Sequence, residues 1–383
     1  VHVVIAPDSF KESLSSPEVA TALERGWLLG APGSTCDLVP LADGGEGTVR
    51  ALVQATGGRL ERRRVQGPLG DPVDAELGVL GGPGPLTAVV EVAAASGLAL
   101  VPPDERDAGR ATSYGTGELI AAALDLGARR IVLGLGGSAT TDGGTGLARA
   151  LGVRFIDADG QDVVGGGDDL GRIVRVDTDG RHRGLADCEV LAACDVDNPL
   201  TGPDGAAAVY GPQKGADPTS VALLDGNLAH LADVLAGAGL GADATTPGAG
   251  AAGGIGFAVL ALLHGRLRPG FDLVAEAVGL DDFLDRADLV LTGEGRLDRQ
   301  SLAGKTPVGV MRRARARGIP VMALAGSLGE GADELLDAGM TAVLSVVPGV
   351  VDHDEAMSRA AANLEATARA VAAVWAAARA RPA

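Results

Sequence analysis

Eight short runs of β-branched and aliphatic residues recur along the chain, at 1–7, 36–42, 87–93, 130–136, 189–195, 288–293, 320–326 and 342–347, each ending in glycine or a polar side chain. Several are followed by patterns of helical period. A strand that is apolar at nearly every position must be covered on both faces, which is the situation of a parallel sheet flanked by helices, so the class is α/β. The composition suits it. Hydrophobic residues make up 46% of the chain but aromatics only 2%, and a core of Ala, Val and Leu packs helices closely on strands. With 383 residues there is chain for roughly two domains. Two Gly- and Pro-rich stretches, 67–85 and 236–254, read as hinges bounding an insertion. The expected organisation is a Rossmann-like domain with a parallel sheet, built from 1–66 and 270–383, and an inserted α/β domain over 67–269.

Local signals add detail. SSPEVATALERGW starts a helix, either with Ser16 as the cap before Pro17 or with Ser15 in a capping box with Glu18. A last helix is expected over 352–379, where Met357, Ala361, Leu364, Ala368, Val371 and Trp375 share one apolar stripe. A formal net charge of −18 argues against nucleic acid as a partner, because a polyanion needs a basic stripe. Any anionic ligand must be held by local groups. Cys36, Cys188 and Cys194 are too few and scattered for a disulfide framework or a zinc knuckle, and are expected as buried thiols in a reducing cytosol. VHVVIAP reads as a strand rather than a leader, and no apolar run approaches roughly eighteen residues. A cytoplasmic protein with no membrane partner is expected.

In open parallel sheets ligands bind beyond the carboxyl ends of the strands. There the chain places acids: Asp8 after the first run, Asp43 and Glu46 in ADGGEGT, Asp142 in GGSATTDGGTG, Asp195 and Asp197 in CDVDNP, Glu294 and Asp298 in GEGRLD. Lysine is rare. The chain has three, against twenty-nine arginines, and each sits in a Gly- or hydroxyl-rich motif: Lys11 in DSFKES, Lys214 in GPQKGA, Lys305 in AGKTP. A compact ammonium serves where the planar guanidinium fork does not fit. Carboxylates, glycine amides and a few cations are the groups phosphoryl transfer needs: oxygen ligands for Mg²⁺, donors for phosphate oxygens, and a base for a hydroxyl proton.

Two other motifs compete for attention. AGKTP resembles the end of a phosphate-binding P-loop, but GxxxxGK[ST] requires glycine at 299, where the chain has Arg299. Thr306 and Pro307 read instead as the cap and first residue of a helix with Lys305 at its electropositive mouth. Gly134, Gly136 and Ala139 stand at GxGxxA spacing after a strand, with Asp157 at the end of VRFID, which fits a nicotinamide dinucleotide site. Against that, TTDGGTG occupies the first helical turn.

Taken together, VIAPDSFKESLS, LADGGEGTVRAL, VEVAAASGLAL, TSYGTGELI, GLGGSATTDGGTG, ACDVDNPL, YGPQKGA, GAGAAGGIG and LTGEGRLDRQSLAGKTP resemble the bacterial type-1 glycerate kinases over nearly the whole chain. The resemblance implies ATP-dependent phosphorylation of D-glycerate, generally at the 2-hydroxyl, with magnesium, on a two-domain α/β fold of that family's own type. Two positions depart from the family pattern. Glu12 stands where glycine is usual, and Thr141 where asparagine is common.

The residues support assignments of their own. A strongly acidic protein handling two anions must screen them with magnesium and a few placed cations. The catalytic candidates are Asp195, first choice as base at the end of an apolar strand, then Asp197 and Asp8, with Lys214. Substrate and ATP binding falls to Ser9, Lys11, Gly44, Gly45, Gly136, Gly137, Ser138, Asp142, Gly253, Gly254, Arg296 and Lys305. Asp43, Glu46, Glu294 and Asp298 are the magnesium candidates. GAGAAGG equally suits tight backbone packing before an apolar helix. None of the five histidines has a partner motif, and there is no GxSxG elbow for a hydrolase. The alternative functions are a nicotinamide-dependent dehydrogenase of a small hydroxy acid using the GxGxxA element, or a non-catalytic hydroxy-acid sensor. A homodimer stands as a candidate assembly.

Overall fold

The computed structural model describes residues 1–379 apart from Asp43 and Glu46. The chain divides into two compact units, Val1–Asp43 with Val274–Ala383, and Gly44–Leu273. Their two main sheets use eleven strands: β1 (His2–Ile5), β2 (Thr35–Leu38), β3 (Arg59–Gln66), β4 (Pro72–Val79), β5 (Thr87–Glu91), β6 (Arg130–Gly134), β7 (Glu189–Ala193), β8 (Arg266–Arg268), β9 (Leu289–Thr292), β10 (Val321–Ala325) and β11 (Ala342–Ser345). Each of the eight apolar runs overlaps one of them. The fold is mixed α/β with mostly parallel pairing.

In the first unit the order is β11-β10-β9-β1-β2, parallel throughout. Val3, Ile5, Leu289, Leu291 and Leu324 of the strands meet Leu23 and Trp27 of the helix Ser16–Gly30 and Leu364, Ala368 and Ala372 of the helix Ala360–Arg379. Ser15 is the cap of the first helix, and Glu18 takes its backbone N–H at 2.8 Å. The two helices approach closely because two positions lack side chains: a Cβ on Gly26 would run into the Glu365 carbonyl, and one on Gly30 into that of Arg369. The expected single helix over 352–379 is two, His353–Ser358 and Ala360–Arg379, interrupted at Arg359 with φ −104° and ψ 8°.

In the second unit the order is β8-β7-β6-β5-β4-β3, with β5 to β8 parallel and β4 antiparallel to both neighbours. The stretch 67–85 is therefore no hinge. β4 runs through it and pairs with β3 along its whole length, from Gln66↔Pro72 to Arg59↔Val79. The first division of the chain falls at Asp43 and Gly44 instead of after residue 66, since β3 joins this sheet and the helix Thr48–Thr56 packs Val49 and Val53 over Gly78. The stretch 236–254 also lies inside this unit, and its last glycines are packed into the interior. The strand at 154–156 pairs antiparallel with 175–177 outside the main sheet. Among the described residues no helix is long and apolar enough to cross a membrane.

Candidate active site

In the first unit, Asp8 and Glu294 leave the carboxyl ends of the neighbouring strands β1 and β9, and the Asp8 N–H donates to the Gly293 carbonyl at 2.8 Å. Both carboxylates are buried, at 8% exposure. Each is held by hydroxyl or amide donors. Asp8 accepts from the Ser9 N–H at 2.6 Å and the Thr306 hydroxyl at 2.7 Å. Glu294 accepts from the Ser301 hydroxyl at 2.7 Å and has the Lys305 ammonium at 3.7 Å. Lys305, not Thr306, is the N-cap of the helix Thr306–Arg315. Thr306 begins the helix, which turns its hydroxyl to Asp8. Ser301 and Thr306 are the positioning groups the sequence reading overlooked, the first because nothing marked it, the second because it looked sufficient as a cap.

Lys11 is exposed on a tight turn in which Phe10 and Leu14 pair, and Ser9 is half-buried. Glu12, in the same turn, has φ +65°. That conformation explains why glycine suits this position. Arg296 is exposed and donates to Asp298 at 3.1 Å. Asp298 caps the following turn through the Gln300 N–H at 3.0 Å. Burial opposes its ionisation, but hydrogen bonds from Arg296 and Gln300 and the charge of Lys305 outweigh that and hold its carboxyl below the ordinary value. Its bonds make it a cap. Asp43 and Glu46 lie outside the described residues.

In the second unit the carboxyl ends of β6 and β7 carry glycine backbone at close quarters. A Cβ on Gly44, at φ +88°, would stand 2.6 Å from that of Ala193, and one on Gly136 would stand 3.3 Å from the Gly45 Cα. Gly136 and Gly137 are exposed. Asp195 is exposed just beyond β7, where it accepts from the Gly270 N–H at 2.9 Å, and Asp197 is exposed two residues on. Glu91, which the sequence reading left without a role, ends β5 as a buried carboxylate and accepts from the Val49 N–H at 2.7 Å.

Four candidates in this unit turn inward. Asp142 is fully buried and takes the Ser113 N–H at 2.8 Å, the Ser113 hydroxyl at 2.7 Å, the Thr140 hydroxyl at 3.1 Å, and the N–H groups of Gly144 and Gly146 at 3.0 and 3.2 Å. With its oxygens so engaged it ties its own loop to Ser113. Gly253 and Gly254, at φ +68° and +93°, lie against Thr140, Thr141 and Gly143, and Gly143 donates to the Gly253 carbonyl at 2.9 Å. GAGAAGG is a packing element. Lys214 is 2% exposed and donates to Ser138 Oγ at 2.9 Å and to the Thr140 carbonyl at 2.7 Å. Burial pushes its ammonium down to about 7, against the opposing charge of Asp142.

The competing chemistries find no support in these elements. After β6 the next helix, Thr145–Ala150, begins well past the GxGxxA glycines and is one and a half turns long, so no dinucleotide helix points at them. Three of the five histidine rings are otherwise engaged: His2 contacts Thr35 and Asp37, His182 contacts Asp125, and His230 contacts the Ile173 carbonyl. The cysteines are half-buried rather than buried, and burial pushes the Cys36 and Cys188 thiols up to about 11, far from a nucleophile's range.

An open parallel sheet with carboxylates and a lysine at its strand ends in one unit, and a mixed sheet carrying glycine turns at its own in the other, define an α/β protein with ligand-binding groups beyond its strand ends. The sequence pattern of the glycerate kinase family matches residues 3–376. A glycerate kinase of Bacillus subtilis (strain 168) is 48% identical over 97% of both chains. A glycerate 2-kinase of Escherichia coli (strain K12) is 46% identical over 98% of both. A crystal structure assigned to a glycerate kinase 2 from Salmonella typhimurium LT2 superposes with a TM-score of 0.90 at 46% identity, covering 100% of each chain. The chain belongs to the glycerate kinase family.

Proposed function

We propose that this protein transfers the γ-phosphoryl group of ATP to the 2-hydroxyl of D-glycerate. Membership of the family over almost the whole chain carries the reading, and the buried pair Asp8 and Glu294 on neighbouring strand ends supplies its chemistry. Among the described residues no three His, Cys, Asp or Glu side chains cluster to hold a metal ion. Two carboxylates are a fitting donor set for Mg²⁺, which commonly takes one or two from the protein while phosphates and water complete its octahedron. Asp8 and Glu294 would hold the ion, which when bound would supply positive charge to neutralise the negative charge on the phosphate oxygens. Ser9, Thr306 and Ser301 orient the two carboxylates.

Lys305 at the mouth of its helix, and Lys11 on its exposed turn, attract phosphate or carboxylate oxygens, and the helix N-terminus adds partial positive charge. In the second unit Gly136 and Gly137 offer backbone N–H groups to an anion. Asp195, oriented by the Gly270 N–H, accepts the hydroxyl proton as it is lost late in a loose transition state. Asp142 and Lys214 support the turn from behind. The protein is read as cytoplasmic.

The test is an ADP-release assay over D-glycerate, L-glycerate and related hydroxy acids, with NMR assignment of the phosphorylated carbon. Magnesium-dependent turnover of D-glycerate giving the 2-phosphate is expected. No turnover of any glycerate would refute the reading. Asp195→Asn should lower kcat by about 10²–10⁴ with an unchanged unfolding profile, and an undiminished kcat would remove Asp195 as the base.

A further inference from the structure

The turn after β6 changes character within three residues. Gly136 and Gly137 are exposed, whereas Ser138 is 7% exposed and Thr140 is fully buried. Its outer strand is tied down, since the Leu98 N–H donates to the Gly137 carbonyl at 2.7 Å and the Ala139 N–H to the Ser96 carbonyl at 2.9 Å. From the inner side comes Lys214, on Ser138 Oγ and the Thr140 carbonyl. Its own segment is rigid: the Lys214 N–H donates to the Gly211 carbonyl at 2.9 Å, and Gly215, at φ +93°, lies against the Arg106 carbonyl with no room for a Cβ.

An amine enclosed in this way meets no ligand and acts only through the groups it holds. Ser138 Oγ accepts from the amine, so its own O–H is left to donate in another direction. Its neighbours on the chain are the exposed glycines at the strand end. We infer that Lys214 is a positioning residue, which fixes the 136–137 turn and orients the Ser138 hydroxyl as a donor to an anionic oxygen of the bound substrate. It is not a phosphate hook. The inference rests on the proposed kinase activity, and it moves one of the three lysines out of direct contact with the anions.

Steady-state kinetics of Ser138→Ala, Lys214→Met and the double variant test it, with wild-type turnover of D-glycerate as the control. Each single variant should lose tenfold or more in kcat/KM. The double variant should lose no more than the worse single one, because both cut the same link. Losses that multiply would overturn the inference, for Lys214 would then act apart from Ser138. If Lys214→Met does not fold, Ser138→Ala and Ser138→Thr decide: loss in the first with recovery in the second is expected, and full activity in Ser138→Ala overturns it. A wild-type protein silent toward every glycerate would instead refute the proposed function, and the inference with it.

Discussion

Lys214 also makes a prediction about stability that needs no substrate. In the folded protein its ammonium titrates at about 7 rather than 10.5, because burial penalises the charged form. Below pH 7 both folded and unfolded chains carry the proton, and the whole penalty weighs on the native state. Above about pH 10.5 neither carries it. Between the two the unfolded chain binds the extra proton, so stability rises with pH, by up to about 1.4 kcal/mol per pH unit. Two acceptors, Ser138 Oγ and the Thr140 carbonyl, match the two N–H groups of a neutral amine. Replacing Lys214 by methionine removes the titration while filling a similar volume. From pH 7.5 to 9.5 the wild type should therefore gain roughly 2–3 kcal/mol more than Lys214→Met. The assay is urea unfolding by circular dichroism. Tryptophan fluorescence is unsuitable, since Trp27 and Trp375 both belong to the first unit and Lys214 to the second. Parallel pH profiles for the two proteins would refute the reasoning, because an amine that stays charged in the fold produces no such slope.

Three further outcomes follow from single positions. Glu12→Gly, at φ +65°, should stabilise the first unit by roughly 0.5–1 kcal/mol, the left-handed penalty less the added chain entropy, seen as a rise in its unfolding midpoint by tryptophan fluorescence. Thr141→Val should leave the second unit as stable or raise its stability by about 1 kcal/mol, since the buried Thr141 hydroxyl has no hydrogen-bond partner among the described residues; urea unfolding by circular dichroism reads it, and a clear loss would mean the hydroxyl is satisfied. Asp142→Ala should destabilise the same unit by on the order of 3–5 kcal/mol, because six donors would lose a buried acceptor. Its circular-dichroism transition should move to much lower urea.

How far the sequence reached depends on how local each signal was. Apolar runs announce strands of a sheet covered on both faces, and all eight were legible, although β2 and β11 at the sheet's edges are only partly buried. β3 was not. RLERRRVQ lies at the edge of its sheet and buries only Val65, so its charges hide a strand that exists through pairing with β4. The same pairing turned a Gly- and Pro-rich stretch from a supposed hinge into the middle of a sheet. Among the candidate residues, Asp8 and Glu294 in the first unit and Asp195 in the second were legible as acids following strands. Ser301, Thr306 and Glu91 were not, because their value lies in reaching partners that only the folded chain brings near.

The sequence by itself determined the α/β class, the strand ends as the place for chemistry, and the family, through motifs whose glycines and acids are tied to short stretches of backbone. Which way each motif faces was decided by tertiary structure. Asp142 and Lys214 are ionisable residues among glycines, as ligand-binding groups often are, yet the fold surrounds Asp142 with donors from Ser113 and from its own loop and encloses Lys214 beneath a turn. The physical reason is that a side chain's charge is written in its residue type, whereas its access to solvent and its count of hydrogen-bond partners belong to packing between segments far apart in the chain.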